Sequence, residues 1–148
     1  MDVPVSSILH IDDDPISLKI VRAYLERMQN VDKVHSFKSA LVALEYLKEC
    51  GDDWPEVILC DLVMPLMTGW EFLEQYASLG YNKKQCLVCV HSSETKSVDL
   101  DDLEENKHVH MFIPKPINKD KIDQLFRFYD LQKLERFKYK SPLKYVLS

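Results

Sequence analysis

No segment of this 148-residue chain is apolar over the roughly 20 consecutive residues that a helix needs to cross a bilayer. The amino terminus, residues 1–4, lacks the basic start and apolar core of a secretory signal peptide. Internal repeats and low-complexity segments are absent too. We therefore expect a cytoplasmic protein that does not insert into membranes.

The chain also lacks a surplus of positive charge. It carries 19 Lys and Arg residues against 24 Asp and Glu residues, which gives a formal net charge of −5. Proteins that bind nucleic acid through its phosphates present a basic face, so we expect no direct nucleic acid binding. A hydrophobic content of 46% in 148 residues fits one globular domain with a substantial core.

The four cysteines, Cys50, Cys60, Cys86 and Cys89, do not form a metal-binding pattern. Cys86 and Cys89 have the spacing of a redox or zinc pair, but residues three apart on a strand point to opposite faces. No second pair of Cys or His completes a zinc site. We expect the three cysteines in apolar runs to be small buried hydrophobic residues.

Short apolar runs alternate along the chain with segments of helical periodicity. Strands are predicted at residues 7–11, 31–37, 56–60, 86–90 and 109–113. Helices are predicted at residues 15–28, 38–50, 70–78, 98–106 and 118–129. Strands joined by single helices favour a doubly wound α/β fold, with a parallel sheet and helices on both faces.

Charged residues follow three of these predicted strands. Three consecutive aspartates, Asp12 to Asp14, come after the first strand; Asp61 follows the third; and Lys115 follows the fifth, between two prolines. Open α/β sheets bind their ligands at the carboxyl ends of their strands. Carboxylates suit a hard divalent cation, and an ammonium suits a phosphoryl oxygen. The sequence therefore predicts a site for a divalent cation and a phosphoryl group.

These motifs resemble the receiver domain of two-component response regulators. The resemblance rests on the residues after the first strand (IDDDP), on residues 61–71 (DLVMPLMTGWE) and on Lys115-Pro116. It covers residues 6–129 and leaves residues 130–148 as a C-terminal extension. It implies a five-stranded sheet in the order 2-1-3-4-5. It also implies a phosphorylation switch, with slow self-dephosphorylation, in place of an enzyme.

The resemblance implies a role for each residue of the site. Asp61 would accept a phosphoryl group from a histidine kinase or a histidine phosphotransfer protein. Asp13 would bind Mg²⁺ directly, Asp12 would do so mainly through water, and Asp61 and the backbone carbonyl of Val63 would complete the protein ligands. Lys115 would contact the phosphoryl group, and its peptide bond to the following proline would be cis.

Two residues near the site motifs, Asp14 and Gly69, are expected to have structural roles. Asp14 is expected to cap the helix that begins at the next residue. Gly69 is expected to take a backbone conformation that disfavours a side chain.

The end of the fourth strand departs from the family pattern, in which a Thr or Ser hydroxyl bonds the phosphoryl group. An alignment without a gap puts His91 in that position, and a shift by one residue puts Ser92 there with the strand's side chains turned over. We prefer His91, whose imidazole can donate to a phosphoryl oxygen. The remaining histidines are interpreted as ordinary polar residues: His10, His35, His108 and His110.

The resemblance also implies an output face formed by the fourth helix, the fifth strand and the fifth helix, which would bind a downstream protein. Phe112 is its candidate switch residue, with a core aromatic as the alternative. The fourth helix is rich in Asp and Glu, so a basic partner surface is expected. The extension at residues 130–148 is interpreted as a loosely ordered tail, with a docking segment as the alternative.

Two other functions remain possible from the sequence. The first is a binding module that kept the fold but works without phosphorylation. The second is a metal-dependent phosphatase with an Asp nucleophile. Such enzymes usually carry a second Asp two residues later as a general acid, and Val63 stands in that position here.

Overall fold

A parallel sheet of six strands lies at the centre of the computed structural model, which describes residues 3–79, 86–93, 100–134 and 143–146. The strands are β1 (Val5–Ile11), β2 (Val31–Phe37), β3 (Val57–Asp61), β4 (Leu87–Ser92), β5 (Met111–Pro114) and β6 (Lys144–Tyr145). They lie in the order β2-β1-β3-β4-β5-β6, and every neighbouring pair is parallel. The predicted order 2-1-3-4-5 is confirmed, and a sixth strand extends it.

Helices cover both faces of this sheet, as predicted. The helices are α1 (Pro15–Glu26), α2 (Ala40–Glu49), α3 (Gly69–Ser78), α4 (Leu100–Glu105) and α5 (Lys119–Leu134). Apolar residues of α1 and α5 form one core cluster with one face of the sheet, and those of α2, α3 and α4 form a second cluster with the other face. No helix in the described ranges is long and apolar enough to span a membrane.

The two central strands, β3 and β4, are buried along their whole length. A parallel strand between two helical layers has no solvent face, so its sequence is apolar without alternation. β4 also runs two residues further than predicted and includes His91 and Ser92. The carboxyl ends of both strands therefore carry polar side chains that are held inside the protein.

Local capping residues fix where two of the helices begin. The Asp14 carboxylate accepts a hydrogen bond of 3.0 Å from the Ile16 N–H, and Pro15 occupies the first turn of α1. Asn118 accepts one of 2.9 Å from the Lys121 N–H at the start of α5. The prediction that Asp14 caps α1 is confirmed, and this contact sets the direction in which the chain leaves β1.

The C-terminal extension differs from the loosely ordered tail that was expected. The Lys144 N–H donates to the His110 carbonyl and the Val146 N–H to the Phe112 carbonyl, both at 3.0 Å. The side chain of Val146 is only 3% exposed. The interpretation was wrong for residues 130–134, which continue α5, and for residues 143–146, which the free edge of β5 and an apolar gap beside it bind. Residues 135–142 lie outside the described ranges.

We expect Val146→Ala to lower the free energy of unfolding by about 2 kcal/mol, because it removes two buried carbon atoms. Urea unfolding at equilibrium measures this change. Leu134→Ala is the matched control, since Leu134 is 77% exposed and its truncation should change stability by less than about 0.5 kcal/mol. Equal, small effects of the two substitutions would contradict the packing of the C-terminal strand.

Candidate functional site

Three predicted site residues meet at the carboxyl end of the sheet. Asp12 follows β1, Asp61 ends β3, and Lys115 follows β5. The Lys115 ammonium lies 2.9 Å from a carboxylate oxygen of Asp12 and 2.9 Å from one of Asp61. Because β1 and β3 are neighbours, their two carboxylates face each other, and the long lysine side chain reaches them across the end of β4.

Each carboxylate is also held by a backbone N–H group. The second oxygen of Asp61 accepts a hydrogen bond of 3.0 Å from the Val63 N–H. The second oxygen of Asp12 accepts one of 2.9 Å from the Asp14 N–H. Asp12 is 0% exposed and Asp61 is 4% exposed. Both carboxylates are therefore oriented by two contacts, one from the backbone and one from Lys115.

Asp13 completes a cluster of three carboxylates. Oxygen atoms of Asp12, Asp13 and Asp61 all lie within 4.8 Å of one another, and Asp13 is exposed while the other two are buried. One lysine offsets one of these three negative charges and leaves a surplus that a dication would neutralise. Hard carboxylate oxygens are the ligands that Mg²⁺ prefers, so the residues present fit this ion. The predicted contribution of the Val63 carbonyl stays a prediction.

The pKa values of the two carboxylates that share Lys115 are shifted in opposite directions. Burial raises the pKa of Asp61 to about 6, which outweighs its bonds to Lys115 and Val63. Burial also acts to raise the pKa of Asp12, but the bonds from Lys115 and the Asp14 N–H outweigh it, so this pKa is lowered. The pKa of Lys115 is raised because its two carboxylates outweigh its own burial. At neutral pH Asp12, Asp61 and Lys115 are therefore all mostly charged, although burial has removed part of their hydration.

The loop after β3 is shaped by a close approach of Gly69. A Cβ atom added to Gly69 would lie 2.3 Å from the carbonyl oxygen of Asp61 and 2.7 Å from the Cα of Leu62. The Gly69 N–H also donates to the Leu62 carbonyl at 3.0 Å. The expected reason for this glycine was wrong: space is limiting there, and the left-handed residue of the loop is Leu66, with φ of 68°.

The register of β3 and β4 shows which of the two candidates at the end of β4 shares a face of the sheet with Asp61. His91 lies directly opposite Asp61, so the two side chains share one face of the sheet. Ser92, the next residue, faces the other side. The side chain of His91 is therefore on the Asp61 side of the sheet, and which of the two residues takes the place of the family's hydroxyl stays a prediction. No hydrogen bond joins His91 to Asp61 or Lys115 in the described part of the chain.

His10 was interpreted as an ordinary polar residue, and that interpretation was wrong. Its side chain is 0% exposed, and its ring lies 5.6 Å from that of His91 between centroids. Burial lowers the pKa of His10 to about 4 and lowers that of His91 well below its usual value. A signal was present in the sequence, because His10 stands two residues before Asp12 and so on the same face of β1.

Phe112 lies on the opposite face of the sheet from Asp61. It pairs with Val90 across β4 and β5, is 5% exposed, and packs in the core cluster of α2, α3 and α4. Its ring centroid lies 6.5 Å from that of Tyr145 in β6. The predicted cis peptide bond between Lys115 and Pro116 is confirmed.

The predicted output face includes a strand that the sequence did not predict. The exposed acidic residues of α4 in the described ranges are Asp101, Asp102, Glu104 and Glu105. The Tyr145 hydroxyl of β6 donates a hydrogen bond of 2.8 Å to Glu104. Asp99, also assigned to this acidic helix, lies outside the described residues. The face beside β5 therefore consists of α4, β6 and α5, with the edge of β5 covered.

We expect Gly69→Ala to destabilise the protein by about 3 kcal/mol, because backbone atoms of β3 leave no space for a methyl group. Gly51→Ala is the matched comparison: an added Cβ there meets nothing within 4 Å, although φ is +56°. Gly51→Ala should lower the free energy of unfolding by about 1 kcal/mol, because a left-handed backbone conformation disfavours a side chain. Thermal and urea unfolding of both variants measure the difference. Equal losses would mean that the loop moves aside without cost.

The raised pKa of Asp61 predicts a dependence of stability on pH. The folded state holds this proton up to a pH of about 6, whereas the unfolded chain releases it near 3.8. The contribution of Asp61 to the unfolding free energy therefore falls as pH rises through this window. We expect Asp61→Asn to be more stable than wild type at neutral pH, by about 2 kcal/mol, and similar to it below the window.

Urea unfolding of wild type and Asp61→Asn across this pH range tests the prediction. Asp32→Asn, a substitution at an exposed position of β2, controls for the loss of one negative charge. A stability difference between wild type and Asp61→Asn that stays constant across the window would show that Asp61 does not titrate there.

Comparison with known proteins agrees with this geometry. The family model of the response regulator receiver domain matches residues 8–127. The transcriptional regulatory protein NatR of Bacillus subtilis is 31% identical over 125 residues, which cover 84% of this chain and 50% of NatR. The two-component response regulator ORR1 of Oryza sativa subsp. japonica is 30% identical over 126 residues, which cover 82% of this chain and 54% of ORR1.

The crystal structure of a two component response regulator from Cytophaga hutchinsonii superimposes with a TM-score of 0.70 at 27% sequence identity. The match covers 85% of this chain and 97% of that one. The chain spans about half the length of NatR and ORR1. With the family match over most of the chain and the predicted carboxylates and lysine together at the end of the sheet, the chain belongs to the response regulator receiver domain family.

Proposed function

We propose that Asp61 accepts a phosphoryl group from a histidine kinase or a histidine phosphotransfer protein, and that the charge on Asp61 then switches a protein-binding face. Phosphorylation on an aspartate is general in receiver domains of two-component systems. The observation that carries the proposal is the position of the Asp61 carboxylate, 2.9 Å from the Lys115 ammonium and within the three-carboxylate cluster.

The contacts of Asp61 suit a nucleophile. Its pKa of about 6 leaves it mostly ionised at neutral pH and more basic than an ordinary aspartate. An oxygen of Asp61 would form a bond to phosphorus while the bond from phosphorus to the donor imidazole breaks. The electron pair of that bond stays on the imidazole nitrogen. The Val63 N–H orients the carboxylate for this approach, at 3.0 Å.

Charge neutralisation is the second requirement of phosphoryl transfer. Asp12, Asp13 and Asp61 would hold Mg²⁺, together with the carbonyl of Val63. Bound there, Mg²⁺ supplies positive charge next to the phosphoryl oxygens. The Lys115 ammonium supplies a further positive charge on the same side of Asp61. His91 would donate a hydrogen bond from its imidazole to a phosphoryl oxygen, in place of the usual Thr or Ser hydroxyl. Ser92 faces the other side of the sheet from Asp61.

A groove beside the site offers a surface for the phosphoryl donor. It has a volume of about 360 Å³ and is lined by Lys115, Pro116 and Ile117 on one side and by residues of α1 on the other. Ile16 and Ile20 of α1 line it and are 69% and 48% exposed. Exposed apolar side chains next to a reactive group favour a protein partner there. A cytoplasmic location is part of this proposal.

Phosphorylation would act through a switch and not through catalytic turnover, with self-dephosphorylation as the only slow reaction. The output face is α4, β5 and α5, with β6 lying over the edge of β5. Its exposed acidic residues favour a basic partner surface. Phe112, buried beneath this face, is the proposed residue that changes position between the two states.

A binding module that works without phosphorylation is the second candidate. The observation that favours it is His91, which the ungapped alignment puts where the family has a hydroxyl and whose ring nitrogens make no hydrogen bond within the described residues. The paired charges of Lys115, Asp12 and Asp61 favour the phosphorylated switch, because a site without this chemistry has no need to hold two carboxylates in the interior.

Intact mass after incubation with acetyl phosphate tests the proposal. Wild type should gain the mass of one phosphoryl group with Mg²⁺ present and none without it, and Asp61→Asn should gain none. Asp14→Asn is the matched control: Asp14 lies outside the three-carboxylate cluster, and asparagine also caps a helix well. It should gain the phosphoryl group as wild type does.

Two outcomes would contradict the phosphorylated switch. A gain of mass in Asp61→Asn would move the acceptor elsewhere. No gain in wild type, together with no stabilisation by Mg²⁺ in thermal unfolding, would favour the binding module.

A further inference from the structure

We infer that His10, Asp12 and His91 form a second cation site, for a transition metal of the zinc class, beside the carboxylate cluster. One potential ligand atom from each residue lies within 4.8 Å of those from the other two. The three side chains are brought together by β1 and β4, which are separated along the chain and flank β3 in the sheet. All three side chains are buried.

The inference rests mainly on the ring nitrogens of the two histidines. All four nitrogens of His10 and His91 are buried and have no hydrogen-bond partner within the described residues. A buried polar atom without a partner costs about 1–3 kcal/mol. A cation between the rings would bind one nitrogen of each.

The strand neighbours of the two rings do not hydrogen-bond them. His10 lies between Ser36 on β2 and Leu59 on β3, and His91 lies between Asp61 on β3 and Ile113 on β5. Neither Ser36 nor Asp61 binds a ring nitrogen, since all four nitrogens lack a partner within the described residues. A carboxylate oxygen of Asp12 lies within 4.8 Å of a ring nitrogen of each histidine, so Asp12 is the third member of the cluster.

The ligand types select the class of metal. Mg²⁺ prefers oxygen ligands, whereas imidazole nitrogen suits Zn²⁺ and related first-row ions. Zinc sites with two histidines and one carboxylate keep a further position for water or substrate. Zinc binds neutral imidazole, which is the form that burial favours for both rings.

The ligand atoms of His10, Asp12 and His91 must move slightly closer together to bind a zinc ion. Ligand atoms around a tetrahedral zinc ion lie roughly 3.4 Å apart, given bonds of about 2.1 Å. The 4.8 Å limit on the present separations leaves little more than an ångström to close. Asp13, which is exposed and clusters with Asp12, offers a path for an ion from solvent.

Asp12 belongs to both clusters, so the two cations would compete. A zinc ion held by Asp12 draws this carboxylate away from Lys115 and from the cluster of Asp13 and Asp61. Zinc should therefore slow phosphorylation of Asp61. This effect rests on the proposed function, whereas zinc binding itself does not.

Titration of the full chain with Co²⁺, a spectroscopic substitute for zinc, tests the site. We expect wild type to bind one Co²⁺ with visible absorption bands typical of four or five ligands. His10→Leu and His91→Thr should each bind it at least about 100-fold more weakly, because each removes a direct ligand. His35→Gln, which removes a histidine outside the cluster, should bind as wild type does. Asp13→Asn should retain the cobalt bands and lose stabilisation by Mg²⁺.

A second measurement needs no variant and so does not depend on how the variants fold. In NMR spectra of the imidazole nitrogens of wild type, Zn²⁺ should shift the signals of His10 and His91 and leave those of His35 and His108 in place. Shifts confined to His35 and His108 would overturn the site, as would cobalt binding that both cluster variants retain. Failure of wild type to bind Co²⁺ or Zn²⁺ would overturn it as well.

The acetyl phosphate assay separates this inference from the proposed function. Zinc should slow phosphorylation of wild type and of His35→Gln, and His10→Leu should lose this sensitivity. Cobalt bands in a protein that never gains a phosphoryl group would refute the phosphorylated switch and leave the metal site standing. Phosphorylation of wild type that zinc does not affect would refute the competition for Asp12.

Discussion

One ammonium between two buried carboxylates holds the functional end of this protein together. Lys115 lies 2.9 Å from both Asp12 and Asp61, and so ties the ends of β1, β3 and β5 to one another. Burying charges costs several kcal/mol for each ion, and removing one partner leaves the others uncompensated. The site is therefore assembled as a unit, in which the proposed nucleophile Asp61 and the proposed cation ligand Asp12 both depend on that one lysine.

The same interaction explains why the site is ready to react. Two carboxylates share one positive charge, and burial raises the pKa of Asp61 while that of Asp12 is lowered. Added positive charge beside Asp61 lowers the energy of its ionised form, whereas phosphorylation replaces its single negative charge by nearly two on the phosphoryl oxygens. The folded protein thus holds a surplus of negative charge that cation binding relieves and that phosphorylation increases. Folding energy from the apolar core sustains this surplus.

Much of the site could be predicted because its residues stand where strands end. Asp61 and Lys115 each follow an apolar run, and the position of strand ends is a local property of the sequence. Gly69 was also identified, but for the wrong reason, since its contact with the Asp61 carbonyl depends on how the loop folds back. The strand order required the family resemblance, because alternating strands and helices alone fit several orders.

What could not be predicted depends on contacts between distant parts of the chain. The closeness of His10 to His91 is set by the registers of β1 with β3 and of β3 with β4, which a single strand does not reveal. β6 has two residues, too few for an alternation pattern, and it forms only because β5 presents an edge. Which of His91 and Ser92 shares a face with Asp61 likewise depends on the pairing of β3 with β4.

The pairing of β6 with β5 also determines how copies of this protein can meet. An unpaired edge strand is a template onto which another chain can add its own strand. On the β5 side that edge is occupied from within the chain, and the strand now outermost is only Lys144–Tyr145. A short, charged outer strand resists the growth of a sheet from one molecule to the next. Association on this side of the described fold therefore relies on side chains, which a change in charge can reverse, and not on a continuous backbone ladder.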